Sequence, residues 1–132
     1  MLIVIDSNVW ISAIVFGGTP RRLIEKIVRD GDSIVVSEEI FTEVRRVLSV
    51  KFNDFTADFE NLKAILQLYI IKVDLGQIRI SVCRDEDDNR VIETAIIGQA
   101  EVIVTGDKDL LVLLKYDEII IQKPTEFLNG YK

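Results

Sequence analysis

Short runs of consecutive apolar residues are spaced along this chain with helical patterns between them, and this alternation limits the folds it can adopt. The runs LIVI at 2–5, SIVV at 33–36 and EIII at 118–121 lack the polar alternation of a half-exposed strand. Such runs are typical of strands that are buried on both faces of a parallel sheet.

Further strands are predicted from shorter runs at 70–73, 78–82 and 101–104. Helices are predicted at about 8–16, from Thr19 (N-cap) and Pro20 to Gly31, from Ser37 onward, and at about 55–69, 88–99 and 107–115. The pattern favours an α/β three-layer sandwich with a mainly parallel sheet flanked by helices.

The composition is that of one globular domain over residues 1–132. The mean hydropathy of +0.25 is high for a small chain, and an apolar surface used by a protein partner or a second copy would account for part of it. Cys83 is the only cysteine, so no internal disulfide can form, which fits a reducing compartment. No apolar run reaches membrane-spanning length and no charged segment precedes the opening LIVI. We therefore expect a cytoplasmic protein without a membrane partner.

Carboxylates stand where strands end or helices begin. Asp6 directly follows the first predicted strand, Asp107 follows the strand at 101–104, and Asp88 opens a predicted helix. Ligands in open α/β sheets bind outside the carboxyl ends of the strands, so these acids should share one edge. Glu43 lies on the apolar stripe of its helix, where a carboxylate is costly unless it is paired or binds a metal. Oxygen ligands of this kind suit Mg²⁺ or Mn²⁺, and the chain has no histidine to share the chemistry.

Each acid also has a purely structural interpretation. Asp6, Asp88 and Asp107 could be helix N-caps, and Glu43 could pair with Arg46 or reach solvent. The formal net charge of −6 argues against a protein that binds nucleic acid regardless of sequence, unless bound cations change the local field. The polar neighbours Ser7, Asn8 and Thr105 could position a water, although they also suit turns. Candidates for holding RNA phosphates, with surface ion pairs or a solvated helix face as the alternative, are Arg84, Arg90, Lys108, Arg45 and Arg46.

Four segments of the sequence resemble the acidic motifs of PIN-domain nucleases, in the same order. They are IDSNVWISA, SEEIFTEVRRVL, CRDEDDNRVIETA and VTGDKDLL. The resemblance runs from residue 1 to about 128 and is strongest to the small VapC-like branch, regarded as toxins of toxin–antitoxin pairs. It implies a sheet of order 3-2-1-4-5 and an acidic quartet at Asp6, Glu43, Asp88 and Asp107, with Asp109 and Asp85 as supporting acids. Two departures, Ser7 for threonine and Glu86 for proline, remove no acid.

The resemblance also implies a function. It predicts a Mg²⁺- or Mn²⁺-dependent endoribonuclease that forms a homodimer and is blocked by a cognate antitoxin. Two alternatives remain open at this point. A catalytically silent PIN fold could act as a binding module. A phospho-receiver domain is also α/β with acids at strand ends, but it normally needs paired acids after the first strand, and here Ser7 follows Asp6.

Overall fold

A computed structural model describes residues 1–76 and 78–130. The strands are β1 (Leu2–Ile5), β2 (Ser33–Ser37), β3 (Ile70–Val73), β4 (Val102–Val104), β5 (Lys115–Tyr116) and β6 (Ile119–Gln122). The α-helices are α1 (Ser7–Val15), α2 (Gly18–Arg29), α3 (Glu38–Lys51), α4 (Thr56–Ile65), α5 (Glu86–Ile97), α6 (Lys108–Leu111) and α7 (Pro124–Leu128). Short 3-10 helices cover Asn53–Phe55 and Gln67–Tyr69. None of the helices within these described ranges is long and apolar enough to cross a membrane.

The strands form one mainly parallel sheet of order β3-β2-β1-β4-β6-β5. This confirms the predicted α/β class. The predicted strand at 118–121 is β6, so the predicted order 3-2-1-4-5 is correct for the parallel strands. The difference is β5, which pairs antiparallel with β6 and adds a short edge strand. It forms because α6 ends at Leu111, earlier than the predicted helix 107–115, and the chain then turns back.

Both faces of the sheet are covered by helices. Successive strand residues point to opposite faces, yet Ile3, Val4 and Ile5 are all fully buried, as are the central residues of β2. Helix α5 contacts β1, β2 and β4, while α2 contacts β2 as well as α1 and α7. Trp10 is fully buried in this core. The result is the three-layer arrangement expected from the continuous apolar runs.

The C-terminal end of α5 lies very close to β2. A Cβ atom placed on Gly98 would come within 2.3 Å of Val35 Cγ1 and 3.2 Å of the Thr94 carbonyl oxygen. A glycine at this position therefore lets the helix pack directly on the strand. This contact sets the depth at which α5, and the acids at its other end, lie against the sheet.

Several predicted boundaries were wrong for identifiable reasons. Residues 78–82 do not form a strand, because side chains of α5 bind the backbone at Ile80. The predicted helix 55–69 is α4 flanked by two 3-10 segments. Thr19 is not the N-cap of α2. That helix begins at Gly18, and its cap is Gly17, whose φ of 73° suits glycine.

Candidate metal-binding site

The pairing of β1 with β4 places Asp6 at the carboxyl edge of the sheet. Ile5 lies opposite Val104, and the Asp6 amide donates to the Val104 carbonyl at 2.9 Å. Asp6 and Thr105 therefore leave the sheet side by side, and the Thr105 hydroxyl donates to Asp6 Oδ2 at 2.7 Å. The parallel register thus joins two polar residues that are 99 positions apart in sequence.

The Asp6 carboxylate is fixed by three donors. The Ser7 amide donates to Oδ1 at 2.7 Å, and Asn8 Nδ2 and the Thr105 hydroxyl donate to Oδ2. Asp6 is only 2% exposed. Burial raises the pKa of Asp6 above its ordinary value, and the hydrogen bonds from Thr105 and Ser7 act in the opposite direction. Asp6 is also the N-cap of α1, so its structural interpretation as a helix cap is correct as well.

The loop between β4 and α6 is tied to this carboxylate. Asn8 Oδ1 accepts a hydrogen bond from the Gly106 amide at 3.0 Å. Thr105 Oγ1 accepts one from the Asp107 amide at 3.0 Å. Asp107 in turn caps α6, and its Oδ1 accepts from the Asp109 amide at 2.8 Å. Asp6, Asp107 and Asp109 therefore belong to one hydrogen-bonded framework.

Asp88 has no capping role. It is the third residue of α5, and the N-cap is Asp85, whose side chain accepts from the Asp87 amide at 2.9 Å. The cap interpretation of Asp88 is thus wrong, because the helix begins two residues earlier than predicted. Asp88 is 5% exposed, and its buried Oδ2 has no hydrogen-bond partner among the described residues. Buried acceptors nearly always have partners, so this oxygen is available for a ligand.

Three carboxylates converge at Asp88. One oxygen each of Asp88, Asp107 and Asp109 lies within 4.8 Å of the other two. This trio forms the tight acidic group of residues 1–76 and 78–130, and Asp6 and Glu43 are not part of it. Asp109 was predicted only as a supporting acid, yet it is one of the three residues in this group.

Burial and neighbouring negative charges both disfavour ionisation of Asp88. Burial, followed by the negative charges of Asp107, Asp6 and Asp85, raises the pKa of Asp88 to about 7. An acid in this state binds a cation readily, because the cation offsets both the lost hydration and the like charges. The orphaned Asp88 oxygen, the convergent carboxylates and the all-oxygen donor set fit a hard divalent cation such as Mg²⁺ or Mn²⁺.

Glu43 lies beside Asp6, at the rim of the group. The Ser7 hydroxyl donates to Glu43 Oε1, and Arg46 Nη2 is 3.5 Å from Oε2. The predicted pairing with Arg46 and the predicted approach to the acidic edge therefore both occur. Burial and the neighbouring Asp87 carboxylate raise the pKa of Glu43 to about 7, against the effect of the Ser7 hydrogen bond.

The five basic candidates occupy different surroundings. Arg84 Nη2 is 3.2 Å from both Asp109 oxygens, although its side chain is 88% exposed. Lys108 is exposed at the start of α6, next to the acids. Arg46 reaches Glu43 and also Asp87 at 4.0 Å. The other two are engaged elsewhere: Arg45 pairs with Glu38 and Glu60, and Arg90 pairs with Glu86 and Glu93.

Sequence reasoning missed three polar residues near the site. Asp87 contacts the Arg46 guanidinium and raises the pKa of Glu43. Asn89 and Glu93 are buried on α5 and bind the backbone of the preceding segment. The available signal was their i,i+4 spacing next to Val91 and Ile92, which places polar groups on an otherwise apolar helix face.

Comparisons with known proteins identify the class. A family model described as PIN domain matches residues 2–109, so the chain belongs to the PIN domain family. PIN domains are generally nucleases. An uncharacterized protein of Methanocaldococcus jannaschii is 32% identical over 142 residues, covering 98% of this chain and 91% of that protein.

A solved structure supports the fold. A chain in the crystal structure of VapBC2 from Rickettsia felis, bound to a DNA fragment from their promoter, superposes with a TM-score of 0.64. The match covers 93% of this chain and 98% of that one, at 13% sequence identity. At this identity the likeness concerns the fold alone.

Proposed function

We propose that this protein is a divalent-metal-dependent endoribonuclease, with the metal held at the carboxyl edge of the sheet. The observation that carries the proposal is the state of Asp88 in a member of the PIN domain family: its buried Oδ2 has no hydrogen-bond partner among the described residues, and one of its carboxylate oxygens lies within 4.8 Å of oxygens of Asp107 and Asp109. Asp6 and Glu43 complete the proposed acidic site. Mg²⁺ or Mn²⁺ is the proposed cofactor, and RNA is the proposed substrate.

The proposed roles follow from the contacts. Asp88, Asp107 and Asp109 would hold the cation directly, and Asp6, fixed by its three donors, would provide an oriented carboxylate next to them. A cation held there supplies Lewis-acid activation of water and of a phosphoryl oxygen. Glu43, with a pKa of about 7, would take or give a proton at the rim of the site. Ser7 and Thr105 keep the two carboxylates that they touch, Glu43 and Asp6, in fixed orientations.

An assay with purified protein tests the proposal. Fluorescently labelled single-stranded RNA is incubated with the wild type and Mn²⁺, with EDTA as the control. Asp6→Asn should keep the fold and lose at least 100-fold in cleavage rate, because the amide preserves shape but not charge. Wild-type rates in Asp6→Asn, or equal cleavage in EDTA, would refute the proposed site.

RNA binding without cleavage in the wild type would favour the silent binding module instead. Membership of the PIN domain family leaves no support for the phospho-receiver alternative.

We further propose an antitoxin as partner, since a structural neighbour is described as VapBC2 bound to promoter DNA. An apolar groove of about 530 Å³ between α1, α2 and α4 supports this proposal. Ile14, Ile24 and Leu62 line it, and Arg21 and Asp58 are on its rim. An amphipathic segment of a partner can bury its apolar face in such a groove.

The partner proposal is tested by co-expression with the product of the neighbouring reading frame. Ile65 lines the groove and is 74% exposed, so Ile65→Glu should abolish co-purification without unfolding the chain. Val50→Glu is the matched control, because Val50 is 77% exposed on α3 and is not among the residues lining the groove. Equal co-purification of both variants would refute this docking site. The predicted homodimer is a separate proposal, which light scattering of the purified chain tests.

A further inference from the structure

The segment that leads into α5 is fixed by side chains of the helix that follows it. We call residues 78–85 the approach loop. It forms neither helix nor strand, so its backbone polar groups lack the partners that a sheet would provide. At two positions, Cys83 and Ile80, both the N–H and the C=O of the same residue are instead bonded by side chains of α5.

Asn89 holds the first of these positions. Its Oδ1 accepts from the Cys83 amide at 2.8 Å, and its Nδ2 donates to the Cys83 carbonyl at 3.0 Å. Asn89 is 2% exposed and Cys83 is half-buried, so both bonds are partly shielded from water. One carboxamide thus replaces the pair of contacts that a neighbouring strand would make.

Glu93 and Arg90 together hold the second position. Glu93 Oε2 accepts from the Ile80 amide at 2.7 Å, and Arg90 Nη2 donates to the Ile80 carbonyl at 3.2 Å. The two side chains are themselves paired at 2.8 Å. Glu93 is fully buried, and burying a carboxylate is costly unless it is paired and hydrogen-bonded. A buried ion pair that binds one particular peptide group specifies where that peptide group lies.

The anchored loop ends at the acidic edge. Arg84 follows the Cys83 anchor directly, and its exposed guanidinium lies 3.2 Å from both oxygens of Asp109. Asp109 belongs to the trio of candidate metal ligands. If Asp109 held a cation, the Arg84 guanidinium would be released at the same edge and could bind a phosphate oxygen of RNA.

We propose that Asn89 and Glu93, the latter through Arg90, are positioning residues that hold the approach loop so that Arg84 can contact the RNA backbone at the acidic edge. The inference rests on the proposed ribonuclease function and names the phosphate contact of that site. Residues that only stabilised the fold would affect RNA cleavage whether or not Arg84 is present. As positioning residues, Asn89 and Glu93 affect RNA only through Arg84.

A double-mutant cycle tests this dependence. Cleavage of labelled single-stranded RNA is measured with saturating Mn²⁺ in the wild type, Arg84→Gln, Asn89→Ala and the double variant. Arg84→Gln should raise KM about tenfold with kcat little changed, and should reduce the slope of log KM against log salt by about one. Asn89→Ala should raise KM in the same way. In the Arg84→Gln background it should add less than a further twofold, because its effect passes through the missing guanidinium.

Two further variants separate positioning from stability. Glu93→Gln keeps an acceptor for the Ile80 amide but loses the charge that binds Arg90, so it should raise KM less than Asn89→Ala does. Thr94→Val is the matched control: Thr94 is fully buried on the same helix, and its hydroxyl bonds to Ser37 and the Arg90 carbonyl, away from the approach loop. Thr94→Val should lower the melting temperature and leave KM unchanged.

The outcomes are distinct. Faster amide exchange at Cys83 in Asn89→Ala, together with a non-additive cycle, would support the inference. A wild-type KM in Asn89→Ala, or full additivity with Arg84→Gln, would overturn it while leaving the ribonuclease proposal intact. Absence of both RNA cleavage and RNA binding in the wild type would instead overturn the proposed function, and this inference with it.

Discussion

Replacing Asp88 by asparagine should stabilise the metal-free protein while destroying its function. The pKa of Asp88 is raised from its ordinary 3.8 to about 7 by burial and by neighbouring acids. Each pH unit corresponds to about 1.4 kcal/mol, so the ionised side chain destabilises the fold by at most roughly 4 kcal/mol. Water and ions at an open edge screen part of this, and we expect ~1–3 kcal/mol at pH 8. For a domain of this size that is a rise in melting temperature of about 4–12 °C.

The stability gained by Asp88→Asn depends on pH, because the pKa of Asp88 is raised in the folded chain. The folded chain keeps a proton on Asp88 that the unfolded chain has already released, so the wild type loses stability as pH rises from the ordinary pKa of 3.8 to about 7. Above that range the loss is constant. Asparagine does not titrate, so the advantage of Asp88→Asn should be full at pH 8 and roughly half as large at pH 5.

Thermal unfolding in EDTA at both pH values measures the effect. Asp117→Asn is the control, since Asp117 is exposed in the turn between β5 and β6 and its φ of 51° also suits asparagine. The control should melt like the wild type at both pH values. Repeating the melts with Mn²⁺ should stabilise the wild type and leave Asp88→Asn unchanged. A lower melting temperature for Asp88→Asn at pH 8, or a gain that does not depend on pH, would refute the assignment of Asp88 as a strained, unpartnered acid.

Three other measurements follow from the structure. Mn²⁺ or Mg²⁺ at a hundredfold excess over its Kd should stabilise the wild type by about 2.7 kcal/mol, and a flat titration at concentrations that support cleavage would count against a preformed site. Glu43→Gln should lose most cleavage activity. In EDTA at pH 8 it should melt at or above the wild-type temperature, because it removes a carboxyl group whose pKa is raised to about 7 and whose ionised form is therefore unfavourable. Lower stability with intact cleavage would mean that Glu43 serves mainly to pair with Arg46. Gly98→Ala should destabilise the fold by about 1–3 kcal/mol through the contact with Val35, and neutral unfolding behaviour would show that α5 can move away from the sheet.

The parts of the fold that depend on burial were predictable from the sequence. A run such as Ile3, Val4 and Ile5 has few alternatives to a strand covered on both faces, and the structure buries all three completely. The position of Asp6 followed directly, because it is the next residue and the register with β4 brings Thr105 beside it. Here the local pattern and the tertiary structure specify the same arrangement.

The parts that depend on side-chain contacts with irregular backbone were not predictable. The i,i+4 spacing of Asn89 and Glu93 marks them as polar residues on an apolar helix face, but it does not show what they bind, because their partners in the approach loop are peptide groups of any residue type. The same segment therefore looked like a short strand at 78–82. The closeness of Asp109 to Asp88 depends on the direction of α6, a single helical turn whose orientation is set by Asp107 and Thr105 rather than by its own sequence.

The contrast between Asp6 and Asp88 shows how one edge can combine a fixed carboxylate with an unsatisfied one. Asp6 is buried, but three donors bind its oxygens, so its carboxylate contributes a fixed geometry. Asp88 is nearly as buried and has an oxygen without a partner among the described residues, and the like charge of Asp107 repels its own. Burial raises the pKa of both carboxylates, but of the two only Asp88 has a buried oxygen without a hydrogen-bond partner among the described residues. A cation that binds there is favoured by the relief of that repulsion and finds the surrounding ligands already in place.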